Sequence, residues 1–152
     1  MESRPNAGFS LLELTLVVGI LGIIGSIGFG FYYNFVRQAE IDLTATNIVF
    51  DLKQAQAKSM SGDSGRKWGV YFMNGASDYY EFFSTPTDYD DPAKEIKATV
   101  YLPGNLFFTQ PAASSTVLFN KISGGTGSTT ISISSLTGQV KTINITSIGN
   151  IY

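Results

Sequence analysis

The chain has 152 residues, 43% of them hydrophobic, enough for one modest core plus an appended segment and too few for two full cores. Charged residues make up 14% and the formal net charge is −2, so neither a basic nucleic-acid surface nor an acidic tail is indicated. With no cysteine and no histidine, disulfides, thiol nucleophiles, histidine relays and most zinc sites are excluded.

At the N-terminus, 23 residues without formal charge separate Glu13 from Arg37. As helix they reach about 35 Å, against a hydrocarbon core of roughly 30 Å, so the stretch predicts a membrane span. A secretory signal has a shorter apolar region and ends in small residues, whereas this run ends in aromatics. Phe29, Phe31, Tyr32, Tyr33 and Phe35 suit an interfacial belt at the far membrane surface. Arg4 is offset by Glu2, and Arg37 by Glu40 and Asp42, so charge alone does not orient the segment.

Glu13 stands at the start of this apolar frame. A carboxylate at the centre of a span costs roughly 2.5–3.5 kcal/mol, less near its end, so the group needs a cation or a proton. A cut after Gly8 makes Phe9 the new terminus and brings a free amine one helical turn from Glu13. The plainer alternative is a signal anchor whose Glu13 snorkels or is protonated.

Residues 8–14, "GFSLLEL", followed by the hydrophobic run, resemble the type IV prepilin signature. The resemblance implies cleavage by prepilin peptidase between Gly8 and Phe9, N-methylation of Phe9, and assembly through Glu13, which meets a neighbour's terminal amine. It also implies a bacterial cytoplasmic-membrane protein, single-pass, with its head outside the cytoplasm, assembled with other pilins or pseudopilins. Arg4 is the one basic side chain of the leader, fewer than related leaders often carry.

Gly22, Ser26 and Gly30 recur every fourth residue, a spacing that lets one helix backbone approach another; the bland reading is the general frequency of glycine in membrane helices. Further on, Ile41, Ala45, Ile48, Leu52, Ala55 and Ser59 alternate spacings of four and three, which is helical periodicity. A second column, Leu43, Phe50 and Ala57, is expected to widen the buried stripe so that the helix lies against a sheet. Gly62 within "MSGDSG" supplies the stop, giving one helix from about Phe9 to about Ser61. "DLKQAQAK", residues 51–58, resembles the segment before the first strand in H-type minor pseudopilins of type II secretion and T-type minor pilins.

Beyond Gly65 the segments "KWGVYFM", "YYEFFS", "IKATVYL", "TVLFN", "TTISISS" and "QVKTINIT" predict six or seven short strands in an antiparallel head. "TTISIS" and "VKTINI" read as strands with one wet face, joined by a turn at "LTGQ", 136–139. The ending from Phe119 to Tyr152 is similar to the H/T-type group, where a Gly-rich turn, a hairpin and a terminal glycine motif close the sheet.

Other candidate sites are weighed against plainer readings. Asp88, Asp90 and Asp91 share one loop and suit calcium, but without an EF-hand pattern the loop reads first as a solvated acidic turn, and no metal is assigned. Trp68, Tyr71, Tyr79, Tyr80, Phe82 and Phe83 suit a stacking platform, yet their strand context favours the core. Only Lys121 and Lys141 lie beyond Lys97, so a nucleic-acid partner is not favoured. "GGTG" lacks the Lys-Ser/Thr of a phosphate loop and reads as a flexible hairpin or loop.

These readings combine into an α+β, pilin-like chain: a leader at 1–8, a transmembrane or filament-core helix at 9–36, its amphipathic continuation at 37–62 and a β-rich head at 63–152. The expected role is structural, a minor pilin or pseudopilin, with no enzyme constellation and no cofactor. A major pilin and a monomeric, membrane-anchored binding module stand as alternatives.

Overall fold

The computed structural model describes residues 10–152, apart from the surroundings of residues 27–29 and 31. Gly8, Phe9 and the leader lie outside the described residues. The chain is α+β and divides into two compact units, one up to Arg37 and one from Gln38 to Tyr152.

One helix, α1 (Leu11–Ser61), runs through both units. It stops where the sequence places a stop: Gly62 adopts φ +68°, a left-handed conformation that glycine enters without steric cost, and its N–H donates to the Ser59 carbonyl at 3.2 Å. A short 3-10 turn, Asp63–Gly65, leads into the strands. Among the described residues no helix is long and apolar enough to cross a membrane. The uncharged stretch 14–36 behind that expectation includes residues 27–29 and 31, whose side-chain surroundings are not described.

The second unit holds seven strands: β1 (Lys67–Met73), β2 (Tyr79–Thr85), β3 (Glu95–Tyr101), β4 (Leu106–Gln110), β5 (Ser114–Leu118), β6 (Thr129–Ser135) and β7 (Val140–Ile145). They form two antiparallel sheets, ordered β3-β2-β1-β5 and β4-β6-β7, a division that the strand pattern alone does not specify. The short strand β4 is absent from the sequence expectation because "LFFTQ" is brief and ends against Pro111, which cannot donate to a ladder. The strand expected at "TVLFN" starts two residues earlier, at Ser114, and Phe119 and Asn120 already belong to the following loop.

The core is one cluster fed by three sources. Ile41, Ile48, Leu52 and Ala55 of α1 meet Val70, Phe72, Tyr80 and Phe82 of the first sheet and Phe108, Ile131, Ile133 and Ile143 of the second. Register explains the first sheet's contribution: Val70 faces Phe82 and Phe72 faces Tyr80 across the ladder, so alternate residues send their side chains to the same side. The helical stripe from Ile41 to Ser59 is therefore buried as its spacing predicts, with Ala45 packed at its margin.

The second column is a correction. Leu43 and Phe50 are 62% and 64% exposed, and Ala57 is exposed too. Leu43 lies two residues beyond Ile41, about 200° around the helix, so residues repeating from it every seven positions face away from the stripe instead of widening it. The wet face of β6 is corrected as well. Ser132 and Ser134 are buried, because β6 is the central strand and its hydroxyls lie between neighbours on β4 and β7. Ser132 Oγ is 3.3 Å from Thr142 Oγ1 of β7. The turn at 136–139 forms as read: the Ser135 N–H donates to the Gln139 carbonyl at 2.8 Å, and Gly138 takes φ +84°.

Candidate functional site

In the first unit, the start of α1 is built by Ser10. Its Oγ accepts a hydrogen bond from the Glu13 N–H at 3.2 Å, so Ser10 caps the helix and Glu13 occupies the third helical position. "Ser10-Leu-Leu-Glu13" is the Ser-x-x-Glu capping spacing, a local signal that the membrane-charge argument had passed over. A carboxylate there also meets the positive end of the helix dipole.

Every large apolar side chain from Leu11 to Ile24 is exposed, on all sides of the helix. A side chain added at Gly22 or Gly30 would meet no atom within 4 Å, and Ser26 Oγ donates to the Ile23 carbonyl at 2.8 Å. The small-residue positions are thus open surface in the single chain. Farther along, the Arg37 guanidinium donates to the Tyr33 hydroxyl and sits 4.4 Å from the centre of that ring. Tyr32, Tyr33 and Phe35, members of the expected aromatic belt, are exposed.

In the second unit, polar bonds fasten the helix to both sheets along its length. Gln139 Nε2 donates to Gln38 Oε1, and Asn105 Nδ2 donates to Glu40 Oε2 at 2.7 Å. Lys141 Nζ lies 2.7 Å from Asp42, and the Tyr80 hydroxyl donates to Asp51 at 2.9 Å. Near the helix end, Ser59 Oγ accepts from the Trp68 N–H at 2.7 Å and donates to the Trp68 carbonyl at 3.2 Å. Gln56 Nε2 reaches farthest, donating to the carbonyls of Gly124 and Gly149 at 3.1 and 2.9 Å. The "GGTG" loop is thereby stapled: Thr126 N–H also donates to the Ser147 carbonyl, and Asn120 N–H to that of Gly125.

Two of the acidic loop's three carboxylates, Asp88 and Asp91, accept hydrogen bonds from within the loop. Asp91 accepts from the Thr87 hydroxyl at 2.6 Å and the Ala93 N–H at 2.8 Å, while Asp88 accepts from the Asp90 N–H at 3.1 Å. Among the described residues no group of three or more acidic, His or Cys side chains is placed to hold a metal. Tyr89 folds this loop onto the sheet, stacking on Tyr71 at 4.0 Å and donating to Glu81 at 2.7 Å. Burial first, and the Glu81 carboxylate second, push the Tyr89 phenol up, so it remains a donor.

Four carboxyls are held below their ordinary values: Asp42 by its hydrogen bond from Lys141, Asp63 by that from Lys58, Asp91 by that from Thr87 and Glu95 by that from Lys97. A depressed folded-state value contributes stability that is present above the unfolded value and lost as pH falls through the folded one. The thermal midpoint is therefore expected to decline as pH drops below the ordinary 3.8 of the aspartates. A midpoint that held steady or rose on titration from about pH 5 to about pH 2 would contradict this assignment.

The aromatics expected in the core divide by register. Trp68, Tyr80 and Phe82 are buried in the core; Phe83, Tyr71 and Tyr79 lie on the opposite side of the sheet, Phe83 buried edge-on against Tyr89 and the two tyrosines half-buried. Both C-terminal lysines are occupied, Lys141 by Asp42 and Lys121 by the Gly65 carbonyl, so neither heads a basic surface. No protein-family model, curated protein or solved structure matches the chain.

Proposed function

We propose that the chain is a minor pilin or pseudopilin, a structural subunit of a type IV pilus or type II secretion filament. In this reading prepilin peptidase cuts between Gly8 and Phe9, Phe9 is methylated, and the subunit assembles from the cytoplasmic membrane through its N-terminal helix. One observation supports it most: the helix from Leu11 to Ile24 exposes apolar side chains on every side, with Glu13 the single charge among them. A helix apolar all round needs lipid or other protein to cover it. The compact unit from Gln38 to Tyr152 has its own buried core, so that coverage is left to the bilayer before assembly and to fellow subunits afterwards. Spacing of Gly22, Ser26 and Gly30 suits close approach of such helices.

Mass spectrometry of the protein purified from membranes tests the processing step. The expected N-terminus is methylated Phe9. A chain that retains Met1 would instead identify a monomeric anchored module and end the filament reading.

A further inference from the structure

We propose that the head carries a binding site for a neutral saccharide ring where the β1–β2 turn faces the β3–β4 connection. A concavity of about 470 Å³ lies there, lined by residues 74–78 of the turn and by Tyr101, Pro103 and Phe107. Small-molecule pockets fall between roughly 300 and 1,000 Å³.

The walls are set in place by the protein's own bonds. Asp78 accepts from the Gly75 N–H at 2.9 Å with Oδ1 and from the Phe108 N–H at 2.5 Å with Oδ2. Asn74 Nδ2 donates to the carbonyls of Phe108 and Pro111, each at 2.8 Å, and the Leu102 N–H donates to that of Asp78 at 2.9 Å. A cavity shaped in advance spends little of its binding energy on ordering loops.

Two aromatic rings in the lining face water: Tyr101 is 65% exposed and Phe107 39%. Tyr79 supports the Tyr101 ring at 5.5 Å between centres, so the outward ring has a backing. Beside them stand acceptors with capacity to spare. Asn74 Oδ1 and the Ser77 hydroxyl have no hydrogen-bond partner among the described residues, and each Asp78 oxygen, holding one backbone donor, retains a lone pair.

Charge narrows the ligand class. No lysine or arginine lines the concavity, and its one charged residue is Asp78, so phosphates and carboxylates are repelled. The two N–H groups on Asp78 already offset much of its charge, which weakens its hold on an organic cation. A pyranose fits what remains: its weakly positive C–H face lies against a negative aromatic face, and its hydroxyls donate to Asp78, Asn74 and Ser77.

The test uses the full chain in a non-ionic polyoxyethylene detergent, titrated with fully N-acetylated chitotetraose and with cellotetraose and followed by saturation-transfer NMR and calorimetry. At least one sugar is expected to bind saturably with a Kd of about 0.1–1 mM. Tyr101→Ala should weaken that binding about tenfold or more, and Tyr101→Phe should preserve it, since the ring and not the hydroxyl does the stacking. Unchanged Trp68 fluorescence checks that both variants fold, as expected for an exposed position on an edge strand. Failure of both sugars to saturate by about 10 mM overturns the proposal, as does equal affinity in Tyr101→Ala or displacement by equimolar tetramethylammonium chloride. None of these outcomes bears on cleavage at Gly8.

Discussion

Gly149→Ala is expected to destabilise the head by about 3–5 kcal/mol, lowering Tm by on the order of 10 °C. Three effects act together. Gly149 sits at φ +89°, where a side chain is strained regardless of space. Space is also missing, because an added Cβ falls on Gln56 Nε2 and on the Gly124 carbonyl oxygen, both well inside van der Waals contact. Relieving that clash moves Gln56, whose amide then loses one or both carbonyls that it joins, and unpaired polar groups at a closed junction are costly. Thermal denaturation of the full chain in detergent gives the measurement. Gly75→Ala is the control: its φ is not positive and nothing lies within 4 Å of the added carbon, so a change within about 0.5 kcal/mol is expected. If the two alanine variants melted within a degree or two of each other, the Gln56 junction would hold no structural weight.

Glu13 supports a second prediction with an all-or-none character, and two substitutions separate its two roles. As the third residue of the helix it can serve the cap that Ser10 begins, and glutamine serves a cap nearly as well as glutamate. Under the proposed assembly, as the one charge in an exposed apolar stretch it would offer a carboxylate to a neighbour's amine, and glutamine would offer none. Removing one partner of an ion pair in a low-dielectric setting costs about 3–5 kcal/mol, or more than a hundredfold in an equilibrium. Glu13→Gln is therefore expected to leave cleavage after Gly8 nearly intact and to cut incorporation into sheared filaments at least tenfold. Glu13→Ala should do the same with a slight further loss of helix at the N-terminus, worth on the order of 0.5 kcal/mol. Filaments of normal yield containing Glu13→Gln would leave Glu13 with the cap alone and remove the electrostatic basis of assembly.

The two predictions differ in how far the sequence anticipates them. Glu13 stands out in the sequence because a charge within an apolar run conflicts with its surroundings, and both the Ser10 cap and the cleavage site after Gly8 lie within about one helical turn of it. The buried stripe Ile41, Ile48, Leu52 and Ala55, the stop at Gly62 and the turn at 136–139 are legible for the same reason: helical period, left-handed glycine and tight-turn chemistry are local. In sequence, Gly149 is marked only by the terminal glycine motif of the resemblance, with no sign of what it packs against. What makes it indispensable is Gln56, 93 residues earlier in the chain.

The sequence by itself determined a long helix with one buried stripe, a body of short antiparallel strands, and an N-terminal stretch too apolar to face water alone. Tertiary structure alone decided that Leu43 and Phe50 face outward, that the strands divide into two sheets, that Ser132 is buried at the centre of one, and that Asn74, Asp78 and Tyr101 meet around one cavity. Periodicity says which residues share a face; it does not say what that face meets. Pairing order and cavity walls depend on contacts between residues far apart in the chain, and those exist only once the loops have closed.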